Sequence, residues 1–537
     1  MTSRITLRSA IAAGLLLAAA ATSTAPAVAA QEGPTYTERY RPQYHFSPAV
    51  NWANDPNGLV YYGGEYHMFY QYNPFGDKWG HMSWGHAVSP DLVRWQHQPV
   101  AIPEDGPVMA FSGSAVVDWK NTSGFGAPGG EPPLVAIYTG HRQGNQSQFI
   151  AYSTDRGRTW TRYAGNPVVD IGLADFRDPK VFWYEPQQKW VMVTALSPQH
   201  KVRLFSSPDL KRWTQMSEFG PAAAAGGVWE CPDLFPLPVD GDQKKTRWVL
   251  IVNLNPGGVA GGSGGQYFVG DFDGTRFTAE SPAPNGEPLW ADYGKDFYAA
   301  VSWSDVPKSD GRRVWLGWMN NWQYAGDIPT APWRSAMSLP RTLALETTRD
   351  GIRLVQRPVA ELQRLRGPRR AVKAQTIPTG SVSLAPRGIS GKALEINAEF
   401  QAGTASEFGL KVRTGKGEET VIGIDPKAGQ LFVDRIRSGD VRFHKDFSGR
   451  QTAPLPIENG RVRLRVFVDW SSVEVFAGGG RTVITDQVFP APESQGVELY
   501  AKGGSARLVS LEAWPMASAW TAGAPTQGAA GSARGRD

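Results

Sequence analysis

Five similar apolar segments recur along this chain, and their regular spacing constrains the fold more than any other feature. The segments YHMFYQY, LVAIYT, WVMVT, WVLIVN and VWLGWMN begin at positions 66, 134, 190, 248 and 314. A period of about 60 residues, with turn residues between short apolar runs, is typical of repeated sheets. Helical periodicity is scarce, so the chain is predicted to be all-β. Five such units predict a five-bladed β-propeller, in which four-stranded blades surround a central channel.

A second motif repeats in register with the first three segments. Residues 89–95 (SPDLVRW), 153–160 (STDRGRTW) and 207–213 (SPDLKRW) each follow one of them. Ser, Pro, Asp and Gly favour turns, so each copy is expected to be a turn that leads into a further strand. The alternative is a pair of β-sandwiches whose similarity arises by chance, and the repeat favours the propeller.

The repeat ends near Leu343, and the composition then changes. Residues 31–345 are predicted to form the propeller, and residues 346–375 a charged linker with one short helix over 359–365. A β-sandwich is predicted over 376–517, where residues such as 462–466 (VRLRV) alternate strictly between turns. Residues 518–537, rich in Gly, Ala and Ser, are predicted to be a disordered tail.

The first 30 residues have the pattern of a secretory signal peptide. Arg4 and Arg8 precede an apolar run over 11–21, and residues 27–29 (AVA) offer a cleavage site between small residues. No later stretch is apolar for the roughly 18 residues that a membrane helix needs. The mature chain is therefore predicted to be soluble and exported, either extracellular or periplasmic, without a membrane span.

Charge, cysteine and histidine content argue against a nucleic-acid-binding, a disulfide-stabilised or a metal-binding protein. The formal net charge is only +5 over 537 residues, and dense Lys/Arg blocks are confined to 364–370 and the C-terminal tail, so nucleic acid is not a predicted partner. Cys231 is the single cysteine, which leaves no internal disulfide and requires a large core for stability. His81 and His86 have no third ligand nearby in sequence, so no metal site is predicted.

A short polar segment lies upstream of each repeated apolar segment. Equivalent positions in propeller blades are related by rotation, so these side chains are expected to meet at one end of the channel. Three segments carry an acid next to a proline or one residue from it: Asp55, Asp178 and Glu230. Clustered buried carboxylates are costly unless they serve a purpose, so the three predict a catalytic site. The polar segments are 52–58 (WANDPNG), 111–114 (FSGS), 176–180 (FRDPK), 229–233 (WECPD) and 296–298 (DFY).

Paired carboxyl groups suit the hydrolysis of glycosidic bonds. A retaining glycosidase needs two of them roughly 5–5.5 Å apart, one to attack the anomeric carbon and one to protonate the leaving oxygen and later activate water. Burial and neighbouring carboxylates are expected to raise the pKa of the proton carrier. A third acid would bind sugar hydroxyls. Most of the 20 tryptophans are expected to be core residues, and a few to stack on sugar.

The motifs WANDPNG (52–58), RDP (177–179) and ECP (230–232) resemble the three signature motifs of glycoside hydrolase family 32. FSGS, DFY and residues 332–339 (PWRSAMSL) also resemble it, and the predicted sandwich resembles the second module of the family. The family has a five-bladed propeller plus a β-sandwich and includes invertases, inulinases, levanases and fructosyltransferases. The resemblance implies a secreted retaining hydrolase of β-fructosyl bonds in levan, inulin or sucrose, exo-acting, with no metal or organic cofactor.

The resemblance also implies residue roles. Asp55 would be the nucleophile at C2 of the fructosyl unit, Glu230 the general acid/base, and Asp178 the residue that holds two fructose hydroxyls. Arg177 would orient these carboxylates, and Cys231 is interpreted as a packed thiol that tunes Glu230. Further substrate-binding positions are Trp52, Asn54, Gln71, Trp79, Phe111, Ser112, Tyr298 and Trp322, with Trp318 as an equally placed alternative to Trp322.

Three other functions remain as alternatives. A fructosyltransferase would use a sugar instead of water in the second step. An arabinofuranosidase on the same propeller would invert and would need wider carboxyl spacing, and the NDPNG and ECP motifs argue against it. A non-catalytic fructan-binding protein would not need all three acids. The motifs leave open the linkage preference (β-2,6 or β-2,1), exo or endo attack, the oligomeric state, and whether the sandwich supports the propeller or binds sugar.

Overall fold

The computed structural model describes residues 35–280, 286–455, 457 and 460–520. The predicted signal peptide and residues 521–537 of the predicted tail lie outside these ranges. No helix within them is long and apolar enough to cross a membrane. Strands dominate the described residues, and the helices there are short 3-10 segments: Glu185–Gln187, Ser197–Gln199, Ala360–Leu365, Ala385–Arg387 and Gly478–Gly480.

The first three units are antiparallel sheets in which neighbours in sequence are neighbours in space. The first contains β1 (Asn51–Tyr62), β2 (Glu65–Asn73), β3 (Ser83–Ser89) and β4 (Gln96–Ile102). The second contains β5 (Met109–Val117), β6 (Leu134–Arg142), β7 (Asn145–Ser153) and β8 (Thr161–Arg162). The third contains β9 (Phe176–Tyr184), β10 (Lys189–Leu196), β11 (Lys201–Ser207) and β12 (Thr214–Phe219).

The next two units share one larger sheet, joined by a single parallel pair of residues, Val239 and Leu345. The fourth contains β13 (Val228–Val239), β14 (Asp242–Asn255), β15 (Gly264–Phe272) and β16 (Phe277–Ala279), with β17 (Leu289–Trp290) on β15. The fifth is built on β18 (Tyr298–Ser302) and β19 (Arg313–Met319), followed by β20 (Trp333–Arg334), which pairs with β1, and β21 (Ala336–Met337) on β19. It ends with β22 (Arg341–Thr348) and β23 (Gly351–Pro358).

The first strands of the five units form a closed ring. β1 contacts β5, β5 contacts β9, β9 contacts β13, β13 contacts β18, and β18 returns to β1. A ring of five innermost strands around an axis confirms the predicted five-bladed β-propeller. The repeated apolar segments are the second strand of every blade (β2, β6, β10, β14 and β19), and four of the five polar segments lie within the innermost strands.

The SPDL motif is a turn between the third and fourth strands of a blade. In the first blade, Asp91 Oδ1 accepts hydrogen bonds from the backbone N–H groups of Val93 (3.2 Å) and Arg94 (2.9 Å). In the third blade, Asp209 Oδ1 accepts the equivalent bonds, including one from Arg212 N–H at 2.8 Å. An Asp side chain that bonds the backbone two and three residues later fixes the turn locally, which explains the repeat.

Two packed antiparallel sheets form the C-terminal module, and aliphatic side chains such as Ile396, Leu410 and Val466 fill the space between them. One sheet contains β24 (Arg370–Val372), β25 (Gln375–Ile377), β27 (Leu394–Gln401), β32 (Arg461–Asp469), β33 (Ser472–Ala477), β34 (Thr482–Gln487) and β36 (Ala506–Pro515). The other contains β26 (Gly380–Ser383), β28 (Glu407–Gly415), β29 (Glu418–Asp425), β30 (Gln430–Arg437), β31 (Arg450–Pro454) and β35 (Gly496–Lys502).

The module boundaries differ from the sequence-based prediction. β22 and β23 complete the fifth blade, so strand structure occupies the first part of the predicted linker (346–375), and β24 already pairs with β36 of the sandwich. The predicted short helix is present as a 3-10 segment whose Leu362 and Leu365 are buried. At the start of the predicted tail, the Trp520 indole N–H donates to the Pro42 carbonyl at 2.8 Å and the ring stacks on Tyr36.

Candidate active site

The three predicted acids lie together at one end of the propeller channel. Asp55 is on β1, Asp178 on β9 and Glu230 on β13, which are the innermost strands of the first, third and fourth blades. All three line one open cavity of about 370 Å³, which we call the catalytic cavity. Rotation of equivalent blade positions about the axis brings these residues together although they are far apart in sequence.

A register shift interrupts every innermost strand at this end. In β1 it falls between Ala53 and Pro56, in β9 around Asp178, and in β13 between Glu230 and Asp233. β5 and β18 shift at the same place. In the three acid-bearing strands a proline with no N–H to give lies at the bulge, and such bulges redirect side chains. Asp178 has a left-handed backbone (φ 65°), a conformation that non-glycine residues adopt at functional sites.

Asp55 is held by two side-chain donors. Ser112 Oγ–H donates to its Oδ2 at 2.6 Å, and Asn54 Nδ2–H donates to its Oδ1 at 3.0 Å. The Trp52 indole N–H in turn donates to Asn54 Oδ1 at 2.8 Å, which fixes the amide. Burial raises the pKa of Asp55, the Ser112 bond opposes this, and the charge of Glu230 adds to the rise. Both oxygens thus have fixed partners that favour the carboxylate.

Asp178 lies beside Asp55 across a shared thiol. The backbone N–H of Cys231 donates to Asp178 Oδ2 at 2.8 Å, and Cys231 Sγ lies 3.6 Å from that oxygen and 3.5 Å from Asp55 Oδ2. Burial and the charges of Glu230 and Asp55 outweigh the attraction of Arg177 and raise the pKa of Asp178 to about 7. Burial also raises the pKa of Cys231 well above its usual range, so the group is a neutral thiol here.

Glu230 is the most exposed of the three acids and is held from two sides. Arg177 Nε–H donates to Oε1 at 3.0 Å, and the Tyr298 hydroxyl donates to Oε2. The same guanidinium also donates to Asp175 (2.8 Å) and Gln146 (3.1 Å), so its plane is fixed. Burial and the nearby Glu230 carboxylate raise the pKa of Tyr298 well above its usual range, which keeps its hydroxyl proton in place.

Aromatic and amide side chains form the walls of the catalytic cavity. Trp79 packs against Phe111, and Phe111 stacks on His141 with ring centroids 4.3 Å apart. Trp322 lines the cavity, whereas Trp318 is fully buried beneath it at a centroid distance of 4.9 Å. Of the two alternatives, Trp322 is therefore the one that reaches the cavity.

Seven of the nine predicted substrate-binding residues line the cavity. Trp52 and Tyr298 do not: both are only 1% exposed and act behind it, through Asn54 and Glu230. The full lining is Asn54, Asp55, Gln71, Trp79, Phe111, Ser112, His141, Gln146, Asp175, Arg177, Asp178, Glu230 and Trp322.

Three lining residues were not predicted from the sequence: His141, Gln146 and Asp175. His141 is the last residue but one of β6 and Gln146 is the second residue of β7, so they flank a hairpin turn at this end of the channel. Asp175 directly precedes the polar segment 176–180, and this adjacency is the one signal that could have identified it.

Comparison with known proteins agrees with this geometry. Residues 45–358 match the family model "Glycosyl hydrolases family 32 N-terminal domain" and residues 361–515 match "Glycosyl hydrolases family 32 C terminal". The chain is 57% identical over 490 residues to a levanase of Bacillus subtilis (strain 168), covering 90% of this chain and 72% of the levanase. It is 45% identical over 520 residues to an extracellular exo-inulinase of Aspergillus ficuum, covering 90% and 96%.

Solved structures of similar proteins superpose on most of this chain. Exo-inulinase from Aspergillus awamori superposes with a TM-score of 0.85 at 43% identity, covering 90% of this chain and all of that one. A β-fructofuranosidase from Schwanniomyces occidentalis, complexed with fructosyl-erythritol, superposes with a TM-score of 0.81 at 32% identity, covering 89% and 98%. With family models matching both modules and relatives at this identity over most of its length, the chain belongs to glycoside hydrolase family 32 and is a glycosidase.

Proposed function

We propose that this protein is a secreted, retaining exo-hydrolase that releases fructose from β-fructans of the levan and inulin type and also cleaves sucrose. The observation that carries the proposal is the convergence of Asp55, Asp178 and Glu230 in one cavity with aromatic walls. Similarity to a levanase and to exo-inulinases supports the fructosyl unit as the group recognised. The N-terminal sequence pattern and the extracellular exo-inulinases among the relatives support export.

In the first step Asp55 acts as the nucleophile. A carboxylate oxygen of Asp55 bonds to C2 of the terminal fructosyl unit while the proton of Glu230 passes to the glycosidic oxygen. The C2–O bond breaks, the rest of the chain leaves as an alcohol, and the fructosyl unit remains as an ester of Asp55. The donors Ser112 and Asn54 support this role because they stabilise the ionised carboxylate and fix its orientation.

In the second step Glu230, now a carboxylate, accepts a proton from water. The water oxygen bonds to C2, Asp55 leaves as a carboxylate, and fructose is released with its anomeric configuration retained. Arg177 and Tyr298 support this role because both donate to Glu230 and so hold it in one place for both proton transfers. A sugar hydroxyl in place of water would give a transferase by the same chemistry.

Asp178 is proposed to bind two hydroxyls of the fructosyl unit. Its buried carboxyl group lies beside Asp55, where hydrogen bonds to the sugar would tighten as positive charge develops on the ring. The cavity volume of about 370 Å³ is near the lower end of the range for ligand sites and suits a terminal unit rather than a long chain segment. This supports exo attack.

A time-resolved product profile tests the proposal. The enzyme is incubated separately with levan, inulin and sucrose, beside Asp55→Ala and Glu230→Ala controls, and proton NMR follows the anomeric form of the first product. We expect fructose alone from the polymers at the earliest times, with retained configuration and no product from either control.

Other profiles would contradict specific parts of the proposal. A ladder of oligosaccharides would replace exo by endo attack, and longer or cyclised products would indicate transfer. Inverted configuration would remove the nucleophilic role of Asp55. Wild-type enzyme as inert as the controls on all three substrates would reject the fructosidase assignment.

A further inference from the structure

A second cavity opens at the opposite end of the propeller axis, and we call it the distal cavity. Its volume is about 800 Å³, against about 370 Å³ for the catalytic cavity. The innermost strands connect the two: on β9, Asp178 lines the catalytic cavity and Trp183 the distal one, and on β13 Glu230 and Pro236 are divided in the same way. At about 3.3 Å per residue, Trp183 lies roughly 17 Å along β9 from Asp178, whereas the deepest distal-cavity residues, Lys180 and Asp233, lie only two and three residues from Asp178 and Glu230.

Six aromatic side chains contribute to the wall of the distal cavity. Trp119 is 59% exposed, one of the most exposed large apolar side chains in the described part of the chain. Its indole N–H donates to Asp305 Oδ1 at 2.8 Å, and Tyr62 packs edge-on at a centroid distance of 5.8 Å. The Trp119 ring is therefore held in one orientation although much of its surface is exposed. Further aromatic residues in the wall are Phe182, Trp183, Tyr184, Trp190 and Trp248.

Trp183 extends this aromatic surface on the neighbouring blade. Its indole N–H donates to Glu185 Oε2 at 2.5 Å, and the ammonium group of Lys120 lies 4.7 Å above the ring. Aromatic faces suit the C–H faces of sugars, while adjoining charged groups can bond to sugar hydroxyls. Gln188 accepts a hydrogen bond from Lys120 and donates one to Glu185, so both charged groups are held beside the ring, and their remaining ammonium hydrogens and carboxylate lone pairs can bond to sugar hydroxyls.

The charges around the distal cavity balance. Its lining contains four acidic residues (Asp118, Glu185, Asp233 and Asp305) and four basic ones (Lys120, Lys180, Lys308 and Arg313). In its floor Lys180 Nζ lies 3.4 Å from Asp233 Oδ2, while the other oxygen, Asp233 Oδ1, has no hydrogen-bond partner among the described residues. A lining with no net charge does not select an ion, and fixed polar groups beside aromatic faces suit a neutral ligand with many hydroxyls.

We propose that the distal cavity is a second, non-catalytic carbohydrate site that binds a segment of the fructan substrate. The choice of fructan rests on the proposed function, whereas the choice of a neutral sugar rests on the cavity itself. A polymer held at this site stays near the enzyme after each cleavage, which raises the effective concentration of chain ends at the catalytic cavity. Sucrose, a disaccharide, gains nothing from such a second attachment.

Binding is tested by native electrophoresis through gels that contain levan, inulin or dextran. The full-length Glu230→Gln variant is the parent, because it does not consume the polymer. We expect levan or inulin to retard the parent, and Trp119→Ala combined with Trp183→Ala in that parent to weaken the apparent affinity at least about 5-fold, since stacking on each aromatic ring adds to binding. Ile436→Ala, which removes an exposed apolar side chain on β30 of the sandwich, should leave the retardation unchanged.

Activity measurements separate loss of the site from misfolding. In the wild-type background, Trp119→Ala with Trp183→Ala should leave kcat/KM for sucrose within about 2-fold and lower the rate on dilute levan. Unchanged retardation of the double variant would overturn the proposal, as would equal retardation by dextran and levan. If the wild-type enzyme releases no fructose from levan or inulin while retardation still depends on Trp119, the proposed function is rejected and the distal sugar site remains supported.

Discussion

Each of the three acids in the catalytic cavity has a different set of hydrogen-bond donors, and the donors fit the proposed roles. Asp55 accepts bonds from the Ser112 hydroxyl and the Asn54 amide, and Glu230 accepts one from a guanidinium and one from a phenol. Asp178 accepts one from the backbone N–H of Cys231, whose thiol is in reach of both Asp178 and Asp55. Burial and mutual repulsion make full ionisation of all three costly. With the pKa of Asp178 at about 7, part of the population holds a proton there at neutral pH.

Asp178→Asn should therefore abolish activity and stabilise the fold at high pH. The folded protein keeps a proton on Asp178 up to about pH 7, whereas the unfolded chain releases it near the usual pKa of about 4. Ionisation of this group thus lowers the free energy of unfolding progressively as the pH rises from about 4 to 7, and the loss persists above that range. Thermal unfolding should show a higher melting temperature for Asp178→Asn than for wild type at pH 8, with a difference that shrinks towards pH 4. An equal difference at both pH values would contradict the ionisation of Asp178 as the cause.

Tyr298→Phe should lower kcat about 10- to 100-fold with a smaller change in KM. The hydroxyl of Tyr298 donates to Glu230, and a hydrogen bond to a charged group contributes about 1.5–3 kcal/mol. Because Tyr298 does not line the cavity, substrate contacts remain. Steady-state kinetics on sucrose measure the effect, with Tyr152→Phe as a control, since that half-buried ring stacks on Phe125 away from the site. A Tyr298→Phe enzyme with unchanged kcat would remove Tyr298 from the positioning of Glu230.

Among the secondary-structure elements, the innermost strands pack closely around the axis, but register shifts interrupt their hydrogen-bonding ladders with the second strands. Their register shifts turn polar side chains towards the channel, while the second strand of each blade is regular and apolar. In the second blade, Gly113 follows Ser112 directly at the shift. A Cβ at position 113 would lie 2.2 Å from the Ile137 carbonyl oxygen and 2.6 Å from the Tyr138 Cα, distances that the neighbouring strand backbone cannot accept.

Gly113→Ala should consequently destabilise the propeller and impair the site beside it. Moving β5 away from β6 costs typically about 1–3 kcal/mol or more, and it also shifts Ser112, which donates to Asp55. We expect both the urea midpoint of unfolding and kcat on sucrose to be lower than in the wild type. Gly326→Ala is the matched control, because a Cβ there meets only the flexible Lys78 ammonium at 3.9 Å. Equal stability of the two variants would show that β5 tolerates displacement.

The same strands explain what the sequence could predict. The number of blades could be predicted because the buried parts of the second strands are apolar and recur as the five similar segments. The three acids could be predicted because each lies in a polar segment beside a proline. Trp52 and Tyr298 were named as substrate-binding residues from the family resemblance, and the sequence could not show that they lie behind the cavity, because a bulge breaks the alternation that relates sequence position to sheet face. The last residues of β22 and all of β23 were assigned to the linker because their charged residues hide the strand pattern, although the two strands form an antiparallel hairpin.

At the scale of the whole molecule, buried ion pairs join the propeller to the sandwich behind the catalytic cavity. Arg435 on β30 donates to Asp296 Oδ2 at 2.6 Å and to the Tyr324 hydroxyl at 2.9 Å. Asp296 lies two residues before Tyr298, which holds Glu230, and Tyr324 lies two residues after Trp322 in the cavity wall. One side chain of the sandwich therefore fixes two segments that shape the site, which favours a supporting role for this module.

Arg435→Ala should destabilise the protein by about 3–5 kcal/mol, because it leaves Asp296 buried without its cation. The segments carrying Tyr298 and Trp322 should loosen with it, so kcat should fall and KM for sucrose should rise under conditions where the variant is still folded. Arg437→Ala is the control on the same strand: its side chain is 60% exposed and pairs with Glu419, and such surface pairs contribute about 0–1 kcal/mol. Urea unfolding and steady-state kinetics compare the two. If Arg435→Ala costs no more stability than Arg437→Ala, or if it lowers stability while kcat and KM stay at wild-type values, the sandwich does not position the catalytic cavity through this residue.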